Sequence, residues 1–289
     1  MKHMGNVFRA ALSDSKPLQI VGVMNAYCAM MAEQAGFKAI YLSGAGVANA
    51  SLGLPDVGMT SLQDVVTDAL RITQAVDLPL LVDIDTGFGN VFSLARSVNL
   101  LEEIGVAAVH LEDQIMSKRC GHRPNKKLIS IDKMTEKIAV ACQARKNEAF
   151  VIMARTDALG IESIEETLAR IYAYVDAGAD MIFLEAPQSL EQYQEIKQSI
   201  DVPILANMTE FGATPLYDKA QLSQVGIDMI LYPLSGFRAA SRAVSRVYEK
   251  ILISGTQRDM LDTMQTRDEL YHVLDYYKYE KYLDKNDDE

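Results

Sequence analysis

Eight short apolar runs, separated by longer stretches in which apolar residues recur every three or four positions, constrain this chain more than any other feature. The runs fall near Ile20–Met24, Ala39–Leu42, Leu80–Ile84, Ala107–Leu111, Phe150–Ala154, Met181–Leu184, Ile204–Ala206 and Met229–Tyr232. Each is too continuously apolar for a one-sided antiparallel strand and suits a parallel strand buried on both faces. The segments between them carry the helical period, as in Val91, Leu94, Ala95, Val98 and Leu101, or Glu165, Leu168, Ile171, Tyr172 and Val175.

The punctuation repeats with the same regularity. Gly36, Gly105, Gly178 and Gly226 each end an amphipathic stretch where a left-handed helix cap is needed, ahead of the second, fourth, sixth and eighth runs. Pro17, Pro79 and Pro203 precede the first, third and seventh, where a strand's first residue can lack an N–H. Eight β-α units predict an α/β fold, a (β/α)8 TIM-type barrel forming one domain over residues 1–289. The rival, a doubly wound open sheet, more often has fewer strands and a Gly-rich first turn, and no G-x-G-x-x-G follows the first run.

The chain continues past the last strand. Phe237, Ala240, Val244, Val247, Tyr248, Ile251 and Leu252 predict one long amphipathic helix, and a further helical stretch runs from Arg258 to about Asp284. This C-terminal extension, about residues 255–284, carries Tyr271, Tyr276, Tyr277, Tyr279 and Tyr282, more aromatic surface than closing a barrel requires, and suggests a subunit interface. Lys285–Glu289 are expected to be disordered.

Charge and cysteine content exclude several roles. The net charge is −11 with no long Lys/Arg run, which argues against a nucleic-acid or anionic-membrane partner. No apolar run is long enough to span a bilayer, and the first residues lack the apolar core of an export signal. Three cysteines, Cys28, Cys120 and Cys142, make no disulfide framework, so a reducing cytoplasm is the expected location.

Cys120 stands apart from the other two, because Lys118, Arg119, His122 and Arg123 flank it. An isolated basic cluster is more often just a solvated loop, but this one leaves the carboxyl end of a strand, where a barrel keeps its active site. The positive field is expected to lower the thiol pKa from about 8.5 and make Cys120 reactive. Zinc is a poor explanation, since no second ligand pair has suitable spacing. Asp83 and Asp85, two apart at a strand end, are expected to point to one side and to want a cation, with His110 and Glu112 in the same relation on the next strand. A few hard oxygen ligands suit Mg²⁺, with Mn²⁺ as a substitute. Arg119, Arg155 and Arg238 are expected to converge on one mouth, and arginine's planar fork suits a substrate with several carboxylates or a phosphate. The Met116–Leu128 segment, with repelling positive charges and no regular period, is expected to be a lid that is loose until an anion binds.

With these residues assembled, the chain resembles the isocitrate lyase and phosphoenolpyruvate mutase superfamily nearly end to end, from Phe8-Arg9-Ala10-Ala11-Leu12 to Thr263-Met264-Gln265-Thr266-Arg267. The loop Lys118-Arg119-Cys120-Gly121-His122-Arg123-Pro124-Asn125-Lys126 points to its lyases rather than its mutases; isocitrate lyases share it but are usually much longer, and Phe183 and Leu231 resemble the methyl-accommodating positions of those that act on methylisocitrate. The resemblance implies a homotetramer whose last barrel helix is exchanged between subunits. It implies metal binding by Asp83 and Asp85, with Asp56, His110 and Glu112 around them. Substrate binding falls on Ser43, Gly44, Ala45, Cys120, Gly121, Arg155, Glu185, Asn207, Met208, Thr209, Arg238 and Arg267.

Two departures, Ser-Gly-Ala-Gly at position 43 and Asn-Met-Thr at position 207, leave the backbone N–H donors of Gly44 and Ala45 in place. The implied activity is Mg-dependent cleavage of 2-methylisocitrate to pyruvate and succinate, in propionate catabolism through the methylcitrate cycle. Cys120 would supply the proton, and Tyr41 is the candidate base. The alternatives are a lyase for isocitrate or another 2-hydroxy- or oxaloacetate-type diacid, and a non-enzymatic barrel scaffold.

Overall fold

In the computed structural model, which describes residues 3–286, eight parallel strands close a barrel in sequence order and β8 returns to pair with β1. The strands are β1 (Leu18–Gly22), β2 (Ile40–Leu42), β3 (Leu80–Asp83), β4 (Ala108–Glu112), β5 (Val151–Thr156), β6 (Met181–Leu184), β7 (Ile204–Asn207) and β8 (Met229–Tyr232). The helices are α1 (Met4–Asp14), α2 (Ala26–Gln34), α3 (Gly44–Gly46, running into a π turn over Val47–Ser51), α4 (Leu62–Ala75), α5 (Val91–Glu103), α6 (Ile131–Ala144), α7 (Ile164–Asp176), α8 (Leu190–Ser199), α9 (Lys219–Gln224), α10 (Ser235–Ser254), α11 (Arg267–Val273) and α12 (Tyr276–Asn286). No helix among the described residues is long and apolar enough to cross a membrane.

Strand alternation divides the core in two. Ile40, Leu80, Val82, Val109, Ile152, Ile182 and Ile204 face outward and pack under Val65, Ile72, Val98, Ile138, Ile171 and Ile196 of the surrounding helices. Leu18, Ile20, Tyr41, Leu81, Met153, Phe183, Leu205 and Leu231 fill the barrel interior. Each fully buried side chain of this size stabilises by about 1.5–3 kcal/mol. Phe8 and Leu12 of α1 join the interior cluster, and Arg9 donates to the carbonyl of Ala149, just before β5. The amino end of the barrel is thereby plugged, which leaves the carboxyl end for a site.

The four helix-closing glycines adopt positive φ as expected, at 91°, 88°, 106° and 82° for Gly36, Gly105, Gly178 and Gly226. Strand β1, however, starts at Leu18, two residues before the predicted run. Gln19 breaks the apolar pattern in sequence, but it faces outward and donates to the Tyr232 hydroxyl while Leu18 and Ile20 point inward.

Beyond β8 the barrel pattern stops. None of the 20 residues of α10 is buried. The predicted single stretch from Arg258 is three pieces: a 3-10 turn over Arg258–Thr263, then α11, then α12. Thr266 and Glu269 form a capping box that restarts the chain at α11, and Asp275, with φ 51°, breaks α11 from α12. Tyr271 stacks on Tyr276 at 4.1 Å, with Tyr277 edge-on, so part of the tyrosine cluster packs on itself. Lys285 and Asn286, expected to be disordered, continue α12, and residues 287–289 lie outside the described residues.

Candidate active site

At the carboxyl end of the barrel the inward-facing positions turn from apolar to polar. Tyr41 (β2), Asp83 (β3), His110 and Glu112 (β4), Arg155 (β5) and Asn207 (β7) project there, with Glu185 just past β6. A small cavity of about 70 Å³ is lined by Tyr41, Ser43, Ala45, Asp56, Asp83, Cys120, Gly121, Arg155, Phe183, Glu185, Asn207 and Thr209, together with Lys118 and His122. Most of the expected substrate residues are thus brought together.

The carboxylates meet by a different route from the one expected. β3 ends at Asp83, and Asp85 lies beyond it with φ 49°, so strand alternation does not align the pair. Instead the Asp85 N–H donates to Asp83 Oδ1 at 2.9 Å, folding the turn back on the strand end. Asp83 Oδ2 accepts from the Gly44 N–H at 3.1 Å, so that donor, expected to be free for substrate, is already engaged. Burial alone would raise the Asp83 pKa, but the positive groups around it and the Asp85 N–H outweigh that and pull it down to about 2. Asp85 is pushed up to about 6 by burial and by the neighbouring Asp83 charge. His110 is driven down to about 4, chiefly by burial, and is a neutral imidazole at neutral pH.

Tyr41 does not suit the role of base. Burial first, and the Asp83 charge second, push its pKa well above 10, so the hydroxyl stays protonated. It lies 3.0 Å from His110 Nε2 and 3.4 Å from Asp83 Oδ2 and acts as a donor.

Arg155 is locked in place. Its Nε and Nη2 donate to Asp157 at 2.9 and 3.2 Å, Nη2 also reaches Glu185 at 3.1 Å, and the guanidinium lies 5.1 Å from the Phe183 ring. Asp157 was not singled out from sequence, although its i, i+2 spacing from Arg155 past a strand end is the signal that could have found it.

The Met116–Leu128 loop is folded down on the barrel. Gln114 clamps the Arg119 backbone with two hydrogen bonds, at 2.9 and 3.1 Å, and Ile115 and Gln114 pair with Lys127 and Leu128. Lys126 reaches Asp157 at 3.0 Å. Lys118 turns inward, 2.8 Å from Asp56 and 2.5 Å from Asp85. The Ala213 N–H donates to His122 Nδ1 at 3.0 Å, which leaves the proton on Nε2, 3.3 Å from Glu185. Gly121 is pressed into the site, where a Cβ would fall 2.2 Å from Glu185 Oε1. The expected mutual repulsion is relieved because Lys118, His122 and Lys126 each face a carboxylate.

This packing also reverses the expectation for Cys120. Cys120 is exposed at the surface of the loop, yet the groups crowded around its sulfur push its pKa up, the Glu185 charge adds to that, and the His122 N–H and Arg155 oppose it. Cys120 is therefore a protonated thiol at neutral pH.

Four expected substrate residues do not line the cavity, the first being Gly44, whose N–H is engaged with Asp83. Met208 is buried in the outer core, facing away from it. Arg238, on α10, is exposed, lies over the Phe211 ring and faces Glu210 at 3.6 Å. Arg267 opens α11 in the C-terminal extension. Arg119 lies on the outer side of the loop, so of the three arginines expected at the mouth only Arg155 lines the cavity. Leu231 is fully buried in the barrel interior and does not line the cavity either, whereas Phe183 does.

A family model for phosphoenolpyruvate phosphomutase matches residues 8–252, well over half of the chain. The chain belongs to the phosphoenolpyruvate mutase/isocitrate lyase superfamily. It is 58% identical to a 2-methylisocitrate lyase of Shewanella oneidensis, covering 96% of this chain and 95% of that one, and 52% identical to one of Escherichia coli, covering 97% and 95%. Among solved superfamily structures, 2,3-dimethylmalate lyase matches with a TM-score of 0.90 at 35% identity, covering 97% of this chain and 94% of that one. A phosphonopyruvate hydrolase in complex with oxalate and Mg²⁺ matches with 0.85 at 27%, covering 97% and 98%. The two solved structures share the fold of this chain over nearly its full length.

Proposed function

We propose that this chain is a divalent-metal-dependent carbon–carbon lyase that cleaves 2-methylisocitrate to pyruvate and succinate. The observation that carries the reading is the cavity itself, where Cys120 from the loop meets Asp83, Arg155, Glu185 and Asn207 from four strand ends. Its likeness over nearly full length to 2-methylisocitrate lyases supports the choice of substrate.

The residues present suit a hard cation. Both Glu112 carboxylate oxygens are buried without a hydrogen bond, and carboxylate oxygen is what Mg²⁺ or Mn²⁺ prefers. Asp83 and Asp85 would hold it, with Asp56, His110 and Glu112 around them. When bound, such an ion supplies Lewis acidity that makes the substrate hydroxyl easier to deprotonate.

The side chains divide the remaining work. Arg155, fixed by Asp157 and Glu185, presents positive charge to the substrate carboxylates, and Asn207 and Thr209 offer hydrogen bonds beside it. Transfer of the hydroxyl proton to a carboxylate of the site, and cleavage of the carbon–carbon bond, turn the carbinol carbon into the ketone of pyruvate. The bonding pair stays on the succinate fragment, delocalised into its carboxylate, and Cys120 delivers the proton that completes succinate. The closed loop keeps bulk water from competing for that carbon. Phe183 gives the methyl group an apolar wall.

The products fit propionate catabolism through the methylcitrate cycle in the cytoplasm. The uncovered α10 fits a homotetramer in which that helix is exchanged between subunits.

Product analysis decides the reading. Incubated in parallel with 2-methylisocitrate, isocitrate and oxaloacetate, the protein should release pyruvate and succinate from the first. It should prefer that substrate to isocitrate by about ten- to two-hundred-fold in kcat/KM, the worth of one methyl group in an apolar pocket. EDTA should abolish cleavage and Mg²⁺ or Mn²⁺ restore it. Equal turnover of isocitrate, or undiminished activity after complete metal removal, would overturn it.

A further inference from the structure

We propose that the Lys118 ammonium and a divalent cation are alternative occupants of one carboxylate cluster, so that metal loading expels Lys118 and lifts the Ser117–Gly121 part of the loop. This rests on the reading of Asp83 and Asp85 as metal-binding residues.

Lys118 is 5% exposed, although it lies in a loop at the mouth of the barrel. Its ammonium is 2.8 Å from Asp56 Oδ1 and 2.5 Å from Asp85 Oδ1, in the part of the site where the cation would be held. Paired with two carboxylates at these distances, the ammonium serves as the cluster's counter-ion. An ammonium and a doubly charged ion within about 4 Å of one another repel strongly even at a protein's effective dielectric, so the two do not share the cluster.

The displaced side chain has somewhere to go. A second cavity, of about 300 Å³, is also lined by Lys118 and Asp85, together with Gly58, Thr60, Arg96 and Met116. Lysine, a point charge on a flexible four-carbon stem, suits such a swing better than arginine's rigid fork.

The consequence reaches Cys120, only two residues on. Lys118 tethers the loop over a cavity of about 70 Å³, far below the roughly 300 Å³ of an ordinary ligand pocket. Metal loading removes that tether, the loop rises and substrate enters. Substrate carboxylates then draw the remaining positive charges of the loop down again. The lysine thus sets an order, metal before substrate.

The test measures binding and loop exposure, not turnover. Mn²⁺ affinity would be followed by titration calorimetry, and exchange of the backbone amides of residues 116–121 by mass spectrometry. Wild type would be compared with Lys118→Gln and with Lys126→Gln, which frees the same loop from Asp157 instead. Lys118→Gln is expected to bind Mn²⁺ at least about tenfold more tightly, since a competing charge has been removed. Lys126→Gln should loosen the loop without changing Mn²⁺ affinity. In wild type, Mn²⁺ alone should speed exchange over residues 116–121, an arm that needs no variant to fold. Unchanged or weaker Mn²⁺ affinity in Lys118→Gln, or no change in wild-type exchange on metal addition, overturns the proposal. If neither protein binds Mn²⁺, the metal reading fails and this inference falls with it.

Discussion

Cys120 shows how one residue's chemistry depends on where its neighbours point. Read along the chain, four basic residues lower its pKa; folded, Lys118 turns to Asp56 and Asp85, His122 to Glu185, and the thiol is raised. A raised thiol suits a proton donor, which must hold its proton until the carbon needs it. Cys120→Ser is expected to lower kcat at least about a hundredfold with KM little changed, measured by pyruvate release. Because the acid form is required, wild-type kcat should fall as pH rises through the raised Cys120 pKa, and that alkaline limb should be absent from the serine variant's residual activity.

His110 makes a second prediction at this scale. Its pKa is about 4 folded against about 6.5 unfolded, so its stabilising contribution is complete above pH 6.5 and is lost as pH falls toward 4. The two and a half pH units correspond to about 3 kcal/mol. Asp85, raised to about 6, has the opposite sign over much of the same window, destabilising progressively as pH rises. The readout is therefore the difference in urea unfolding free energy between wild type and His110→Gln, both free of metal. That difference should grow by about that amount in favour of wild type between pH 4 and pH 6.5, and a constant difference would count against a buried neutral imidazole.

At the level of elements, the strands and their partners could be read from the chain because each reports a local constraint. Continuous apolar runs mark doubly buried strands, and Gly36, Gly105, Gly178 and Gly226 mark helix ends where only positive φ continues the path. Asp83, His110, Glu112, Arg155 and Asn207 were legible for the same reason, sitting at strand ends in a fold that puts its chemistry there. The Met116–Leu128 loop was not, since its conformation is set by Gln114, Asp56, Asp85, Asp157 and Ala213, contacts that no period in the sequence reports. The inward turn of Asp85 was hidden likewise, because a positive φ at aspartate has no composition signal. Gln114 is the part of this device open to direct test. Its side chain both donates to the Arg119 carbonyl and accepts from the Arg119 N–H, so Gln114→Ala removes two hydrogen bonds worth about 1–3 kcal/mol together. Exchange over residues 116–125 should quicken by about ten- to a hundredfold while β3 to β5 keep their protection. An unchanged loop would mean that the ion pairs alone hold it.

For the whole molecule, the feature that asks for explanation is a 20-residue helix with no buried position. Helix α10 follows β8, where a barrel normally lays its last helix against the outer face of the sheet. Instead Tyr248, Leu252 and Ile253 are 68%, 87% and 83% exposed, with Val244 and Ile251 also open on the same helix. Apolar surface of that extent on one helix marks an interface, and exchange of α10 between two copies would cover both while giving each barrel its missing eighth helix. In such an exchange the 3-10 turn, α11 and α12 would be the arm that follows the exchanged helix; Leu261, Tyr279 and Tyr282 are exposed on it. Light scattering of the purified protein should give the mass of four chains. Tyr248→Glu with Leu252→Glu should reduce that mass while far-UV circular dichroism keeps the signal of the barrel, since neither residue contributes to either core cluster. Deleting everything after Ser254 should go further and cost both assembly and solubility, because α10 would remain apolar without the segments that follow it. A double variant that stays tetrameric would show that the apolar face of α10 is covered in some other way, and a wild-type monomer that is fully active would remove the reason for the exchange altogether.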